Sequence, residues 1–160
     1  MRLSVLAVGR LKAGPEKLLA EEYQSRIEGL GPRAGITRLS VTDTAESRGQ
    51  TAVARVNEEA LFFERALAPR AFTIVLDERG KPLASPAFAD LLLRHINRGT
   101  ANLAFLIGGP DGHAPSTREN SGLLLSFGPM TWPHRLARIM LFEQIYRAVT
   151  IMVNHPYHRP

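Results

Sequence analysis

The sequence contains no cysteine, which excludes disulfides, thiolate metal sites and a cysteine nucleophile. Lysine is scarce as well. Only Lys12, Lys17 and Lys81 occur, so arginine carries the positive charge, a usage that genome composition explains as readily as bidentate phosphate recognition does. No apolar run approaches the roughly 20 residues that a membrane-spanning helix needs; the stretch from Ala101 to Ile107 is typical of the longest. Met1-Arg2-Leu3-Ser4-Val5-Leu6 starts like a signal peptide, but the run stops at Gly9-Arg10 and no small-residue cleavage site follows. The expectation is a cytoplasmic protein with no membrane partner. Three motifs are also missing. Val8-Gly9-Arg10-Leu11-Lys12-Ala13-Gly14 stands where a dinucleotide-binding G-x-G-x-x-G would be, and neither a Walker-type phosphate loop nor a G-x-S-x-G nucleophile elbow occurs. His155 and His158 are close, but Pro156 separates them and no carboxylate lies nearby, so no metal site is expected.

What is present fits one folded unit. The chain has 160 residues, of which 44% are hydrophobic and 22% charged, enough to bury one core, and it reads as a single domain over 1–160. The net charge is +5. Up to residue 80 there are twelve basic and eleven acidic residues, and after it eight and four. The positive excess therefore sits in the C-terminal half, where it serves solubility or a polyanionic partner equally well.

Short apolar runs alternate with longer amphipathic ones, the pattern of β-α-β units around a parallel sheet. Strands are expected near Leu3–Val8, Ile36–Val41, Phe72–Leu76, Asn102–Ile107 and Leu123–Ser126, enough for a doubly wound α/β sheet flanked by helices. Helices are expected near Glu16–Glu28, Gln50–Ala68 and Pro86–Asn97, with a short one after Pro115 and a long one from about Arg135 to Val153. Ser85 reads as an N-cap before a first-turn proline, and Ser116-Thr117-Arg118-Glu119 has capping-box spacing. The long last helix is apolar around almost its whole girth, which calls for burial on two sides. One side is assigned to the sheet and the other to a second copy in a homodimer, the competing reading being a wholly internal helix. Glu143 and Arg147 stand four apart and pair on the remaining polar strip.

In open α/β sheets ligands sit beyond the carboxyl ends of the strands. Three loops there are informative: Leu76-Asp77-Glu78-Arg79-Gly80-Lys81, Gly108-Gly109-Pro110-Asp111-Gly112, and Phe127-Gly128-Pro129-Met130-Thr131-Trp132-Pro133-His134. Three glycines in five residues let the backbone approach a ligand, or simply make a tight turn before a helix. His134 reads three ways: catalytic base, dipole-facing cap or core hydrogen-bonding group. The closing Asn154-His155-Pro156-Tyr157-His158-Arg159 is rich in groups that stack on an unpaired base and hold a phosphate, against the ordinary expectation of a frayed end.

Taken together, the N-terminal Leu-x-x-Val-Gly strand, Ile107-Gly108-Gly109-Pro110-x-Gly112, Met130-Thr131-Trp132-Pro133-His134, Arg147-Ala148 and the closing segment resemble the ribosomal RNA large-subunit methyltransferase H family of the SPOUT class. The resemblance spans essentially the whole chain. It implies a C-terminal trefoil knot, where pattern alone and the rarity of knots lead to an ordinary flavodoxin-like strand order. It further implies a homodimer that methylates N3 of a pseudouridine in large-subunit ribosomal RNA, within assembled ribosomes, using S-adenosylmethionine. By the same resemblance, Leu76, Gly108, Phe127, Gly128, Pro129, Met130, Thr131 and Trp132 contact the cofactor. Tyr157, His158 and Arg159 place the target base, with Arg159 stabilising negative charge and Tyr157 or His158 positioning the ring. Trp132 and Pro160 depart from the family pattern, Trp132 where a smaller apolar or phenyl side chain is expected. The alternative is a non-catalytic ribosome-binding or assembly module with a vestigial pocket.

Overall fold

The computed structural model describes residues 1–159; Pro160 lies outside the described residues. Five strands alternate with helices: β1 (Arg2–Val8), α1 (Pro15–Leu30), a 3-10 turn (Gly31–Ala34), β2 (Arg38–Thr44), α2 (Ala52–Ala66), β3 (Phe72–Pro82), α3 (Ser85–Asn97), β4 (Asn102–Ile107), α4 (Pro115–Glu119), β5 (Leu123–Ser126) and α5 (His134–Met152). All neighbouring strands pair in parallel, in the order β2-β1-β4-β3-β5. The flavodoxin-like order expected from pattern alone is thus overturned, β3 and β4 having exchanged places. The reason lies in the crossovers: α2 carries the chain past β1 to the far side of β4, and α3 brings it back to fill the gap.

Strand alternation sorts the core into two layers. Leu3, Val5 and Ala7 of β1 with Leu103, Phe105 and Ile107 of β4 face α1, α3 and α5, whereas Leu6, Val8, Ala104 and Leu106 face Phe63 of α2. Three helices therefore cover one face and a single long one the other. Helix α5 lies between α1 and α3, and Leu141, Phe142, Ile145, Ala148 and Val149 have no exposed surface. Most of its apolar girth is absorbed within its own chain, while Leu136 stays exposed and Met140, Ile151 and Met152 are half-buried.

Local differences from the expected elements have identifiable causes. Strand β2 starts at Arg38 rather than Ile36, since Gly35 closes the preceding turn at φ 87 and the Ile36 amide donates back to the Gly31 carbonyl. Ser85 is already helical, the cap being Ala84, and its hydroxyl donates instead to Gln144 at 2.8 Å. No capping box forms at Ser116, because α4 starts one residue earlier at Pro115, with Ala114 as its cap.

Strand β3 runs past the expected Leu76. Residues 74–76 pair with β5, and after a shift Lys81 and Pro82 pair with its end again. Residues 77–80 therefore bow outward while the chain passes over β5. Gly80 lies so close to it that a Cβ would stand 2.6 Å from the Leu124 and Leu125 backbone, a contact only glycine permits.

Candidate active site

The loops that leave β3, β4 and β5 enclose a cavity of about 570 Å³, within the roughly 300–1,000 Å³ typical of small-molecule sites. Leu76, Ile107, Leu125 and Phe127 supply apolar surface, and Asp77, Arg79 and Arg118 supply charge. Of the residues assigned to cofactor contact, Leu76, Gly108, Phe127, Gly128, Met130, Thr131 and Trp132 all line it. Pro129 belongs to the same loop but does not face the cavity.

Each loop is held by its own chemistry. After β3, the Asp77 carboxylate accepts from the Arg79 amide at 2.9 Å and stands 3.7 Å from Arg118. Arg118 in turn donates to the His113 carbonyl, so one guanidinium ties the first two loops together. After β5, the Ser126 hydroxyl meets the amide and carbonyl of Gly128 at 3.1 and 3.0 Å, and Gly128 adopts φ 106 with open space where a Cβ would stand.

The glycine loop after β4 folds on itself. A Cβ on Gly108 would stand 2.6 Å from the Gly112 carbonyl oxygen and 3.1 Å from His113 Nε2. Successive turns of α2 brace this loop from behind. Arg55 holds Asp111 through two bonds, Nε at 2.6 Å and Nη2 at 2.9 Å; Glu59 oxygens approach the Cβ position of Gly109 at 3.0 Å; and Phe63 stacks against His113, with centroids 5.4 Å apart. Residues 55, 59 and 63 are spaced four apart and so share one helix face. Burial pushes the Glu59 carboxyl above its ordinary value, although amide donors from Ser47 and Gly109 oppose this. His113 is 4% exposed, and neither ring nitrogen has a hydrogen-bond partner. Its burial pushes the imidazole down to about 4 against the opposing pull of Asp77 and the Leu76 backbone, so at neutral pH the ring is uncharged.

His134 is the first residue of α5 and lines the cavity. It does not cap the helix through its side chain. Its Nε2 is buried without a hydrogen-bond partner and lies 3.4 Å from Glu46 Oε1. Burial holds the imidazole below its usual value, Glu46 pulling upward and Arg135 and Arg138 downward.

The segment with Tyr157, His158 and Arg159 lines no part of this cavity. It turns back along α5 instead. The Tyr157 hydroxyl donates to Glu143 at 3.2 Å and stands 3.5 Å from that of Tyr23. Its ring packs edge-on to Tyr146 at 4.8 Å and under the Arg147 guanidinium at 4.9 Å. Glu143 and Arg147 pair as their spacing implies, at 2.9 Å. Arg159 is exposed. Among the described residues no group of three or more His, Asp or Glu stands together as a metal cluster would, and no helix is long and apolar enough to cross a membrane.

Residue-by-residue reading of the sequence missed His113, Arg118, Arg55 and Glu59. The spacing of 55, 59 and 63 is visible in the sequence, but nothing there tells which loop that face meets.

A family model described as "Predicted SPOUT methyltransferase" matches residues 1–158. The chain is 52% identical over 159 residues to the ribosomal RNA large subunit methyltransferase H of Brucella anthropi, covering 99% of both chains. It is 50% identical over 159 residues to the protein of that name from Rhizobium meliloti, again with 99% of both chains covered. Among solved structures it resembles a probable methyltransferase from Bordetella pertussis Tohama I, with a TM-score of 0.53, 14% identity and coverage of 92% of this chain and 95% of that one. A putative methylase family protein from Neisseria gonorrhoeae gives a TM-score of 0.51 at 14% identity, over 91% and 81% of the two chains.

Proposed function

The chain belongs to the SPOUT methyltransferase family, and from that premise we propose that it methylates N3 of a pseudouridine in large-subunit ribosomal RNA with S-adenosylmethionine. The observation that carries this reading is that seven of the eight residues assigned to the cofactor converge on one cavity from three separate loops.

The cavity suits such a cofactor. Gly108 has no room for a side chain and Gly128 holds a positive φ, so backbone groups can come close to a ligand. Leu76, Leu125 and Phe127 offer apolar surface to a purine, and the half-exposed Trp132 offers a stacking face at the rim. When bound, S-adenosylmethionine supplies a methyl group activated by its sulfonium. The protein's task is then to hold the acceptor nitrogen in line, exclude water and deal with a proton.

The acceptor side draws on Tyr157, His158 and Arg159. Tyr157 is anchored on Glu143, outside its own cavity, which supports the reading that these groups serve the cavity of a second copy. Leu18 and Leu19 near the start of α1, Leu136 near the start of α5, and Met130 and Trp132 are exposed. These exposed apolar side chains, two of which line the cavity, support a homodimer with composite sites. The passage of residues 77–82 over β5 supports a trefoil knot in this half of the chain. Action on assembled ribosomes in the cytoplasm completes the reading.

Transfer of labelled methyl groups from S-adenosylmethionine to ribosomes lacking this modification tests the proposal. Label at the pseudouridine N3 is expected. A protein that binds ribosomes but neither binds the cofactor nor transfers label would be the non-catalytic module instead.

A further inference from the structure

Resting on the methyltransferase reading, we infer that His134, backed by Glu46, is the base that takes the proton from the acceptor nitrogen. An imide N–H is a poor nucleophile until its proton leaves, and the reaction therefore needs a neutral acceptor within reach of the cavity. Most ionisable groups there are engaged otherwise. Asp77 is tied to Arg118 and the Arg79 amide, Asp111 is paired with Arg55 through two hydrogen bonds, and both ring nitrogens of His113 are buried.

His134 differs in being both fixed and available. Its ring lies over Gly9, whose Cβ would come 2.5 Å from Nε2, and Gly9 itself holds φ 89. One turn on, Arg138 donates to the Gly9 carbonyl and to Asp43 at 3.0 Å, so the surface under the ring cannot retreat. Nε2 is turned toward Glu46 at 3.4 Å, which leaves Nδ1 for a proton from the cavity. The groups that face the ring are Glu46 from the loop after β2, Arg135 and Arg138 on its own helix, and the Gly9 backbone from the loop after β1. Two cations and burial keep it neutral before reaction; one carboxylate steadies the imidazolium afterwards, as in other nucleophile–base–carboxylate arrangements.

The step balances. The base N–H bond breaks and its proton passes to Nδ1. The nitrogen pair forms the N–CH3 bond as the C–S pair returns to sulfur, leaving a neutral thioether and an imidazolium beside Glu46. That proton is then lost to water, with the Glu46 side chain 45% exposed.

The test combines single-turnover methylation of ribosomes, calorimetric S-adenosylmethionine binding and an NMR titration of the His134 imidazole in the free protein. His134→Gln is expected to keep cofactor affinity within about threefold and to slow transfer about 100-fold or more, the usual range for removing a general base. Glu46→Gln removes the carboxylate that favours the imidazolium, so the NMR titration and the acid limb of the rate profile should move together to lower pH. The inference is overturned by a smaller loss in His134→Gln at intact cofactor affinity, or by an acid limb that stays put while the NMR titration moves. If His134→Gln loses the cofactor, the Glu46→Gln profile decides alone. Failure of the methyltransferase reading looks different, because the unsubstituted protein would then bind no cofactor and transfer no label.

Discussion

Arg138 donates to the carbonyl of Gly9, joining the first turns of α5 to the end of β1 across 129 residues of sequence. The arginine is 1% exposed and also meets Asp43 at 3.0 Å, so the ends of β1 and β2 are bound to one buried charge. Removing such a partner leaves a carboxylate and a carbonyl without their donor, a loss of about 3 kcal/mol. Arg138→Met should lower the denaturant midpoint accordingly, with the slope unchanged. A variant as stable as the parent would mean that the strand ends are held by packing alone.

Two glycines separate backbone demands of opposite kinds. Gly108 has the Gly112 carbonyl oxygen 2.6 Å from its Cβ position, whereas Gly29 in α1 has nothing within 4 Å. Gly108→Ala must therefore push the loop apart, and cofactor affinity measured by calorimetry should fall at least about tenfold, or 1.4 kcal/mol. Gly29→Ala should raise stability by about 0.5–1 kcal/mol through the lower entropy of its unfolded chain. Undiminished cofactor affinity in Gly108→Ala would remove this loop from the binding site.

Much of this architecture is legible in the residues, and the exceptions have physical reasons. Asn102–Ile107 and Leu123–Ser126 are strands with the expected bounds, because apolar runs flanked by glycine or polar turns leave few other choices. The three cavity loops are equally legible, since parallel strands place their carboxyl ends on one side. Strand order is not, for it depends on how far a crossover reaches, and no local pattern encodes that. The extension of β3 to Pro82 is hidden for a similar reason: Asp77-Glu78-Arg79-Gly80 reads as a polar turn, and only the later arrival of β5 gives Lys81 and Pro82 a partner. His113 escapes notice because a histidine after a glycine run looks exposed, whereas Phe63 and Gly108 enclose it.

That enclosure makes stability depend on pH. The His113 ring is held down at about 4 in the folded protein, against about 6.5 for an unperturbed histidine. Between those values the unfolded chain binds a proton that the native state refuses, so stability falls as pH drops from about 6.5 to about 4. The full window corresponds to something on the order of 3 kcal/mol. Burial lowers His95 and His134 in the same direction, while Glu59, raised by burial, acts oppositely. Subtracting the stability curve of His113→Leu from that of the parent isolates the one ring. The difference, parent minus variant, should fall as the solution is acidified from about pH 6.5 toward about 4; parallel curves would mean that the native ring takes up its proton as readily as the unfolded one.

Tyr157 is held by Glu143 and the Tyr23 hydroxyl on its own chain, while the cavity that needs an acceptor-binding tail is lined by residues 76 to 137. If that tail serves a second copy, the two defects are separable. A Gly108→Trp subunit cannot hold the cofactor but offers an intact tail, and a subunit lacking residues 155–160 offers an intact cavity but no tail. Each alone should be inactive on ribosomes. Mixed and allowed to exchange, half of the dimers become hybrids with one complete composite site, so activity should return to about one quarter of the parent level. Arg159→Ala in the Gly108→Trp subunit, which supplies the tail, should abolish that rescue. Absence of rescue on verified subunit exchange would place tail and cavity of each site on the same chain, and Tyr157 would then have to leave Glu143 before the reaction begins.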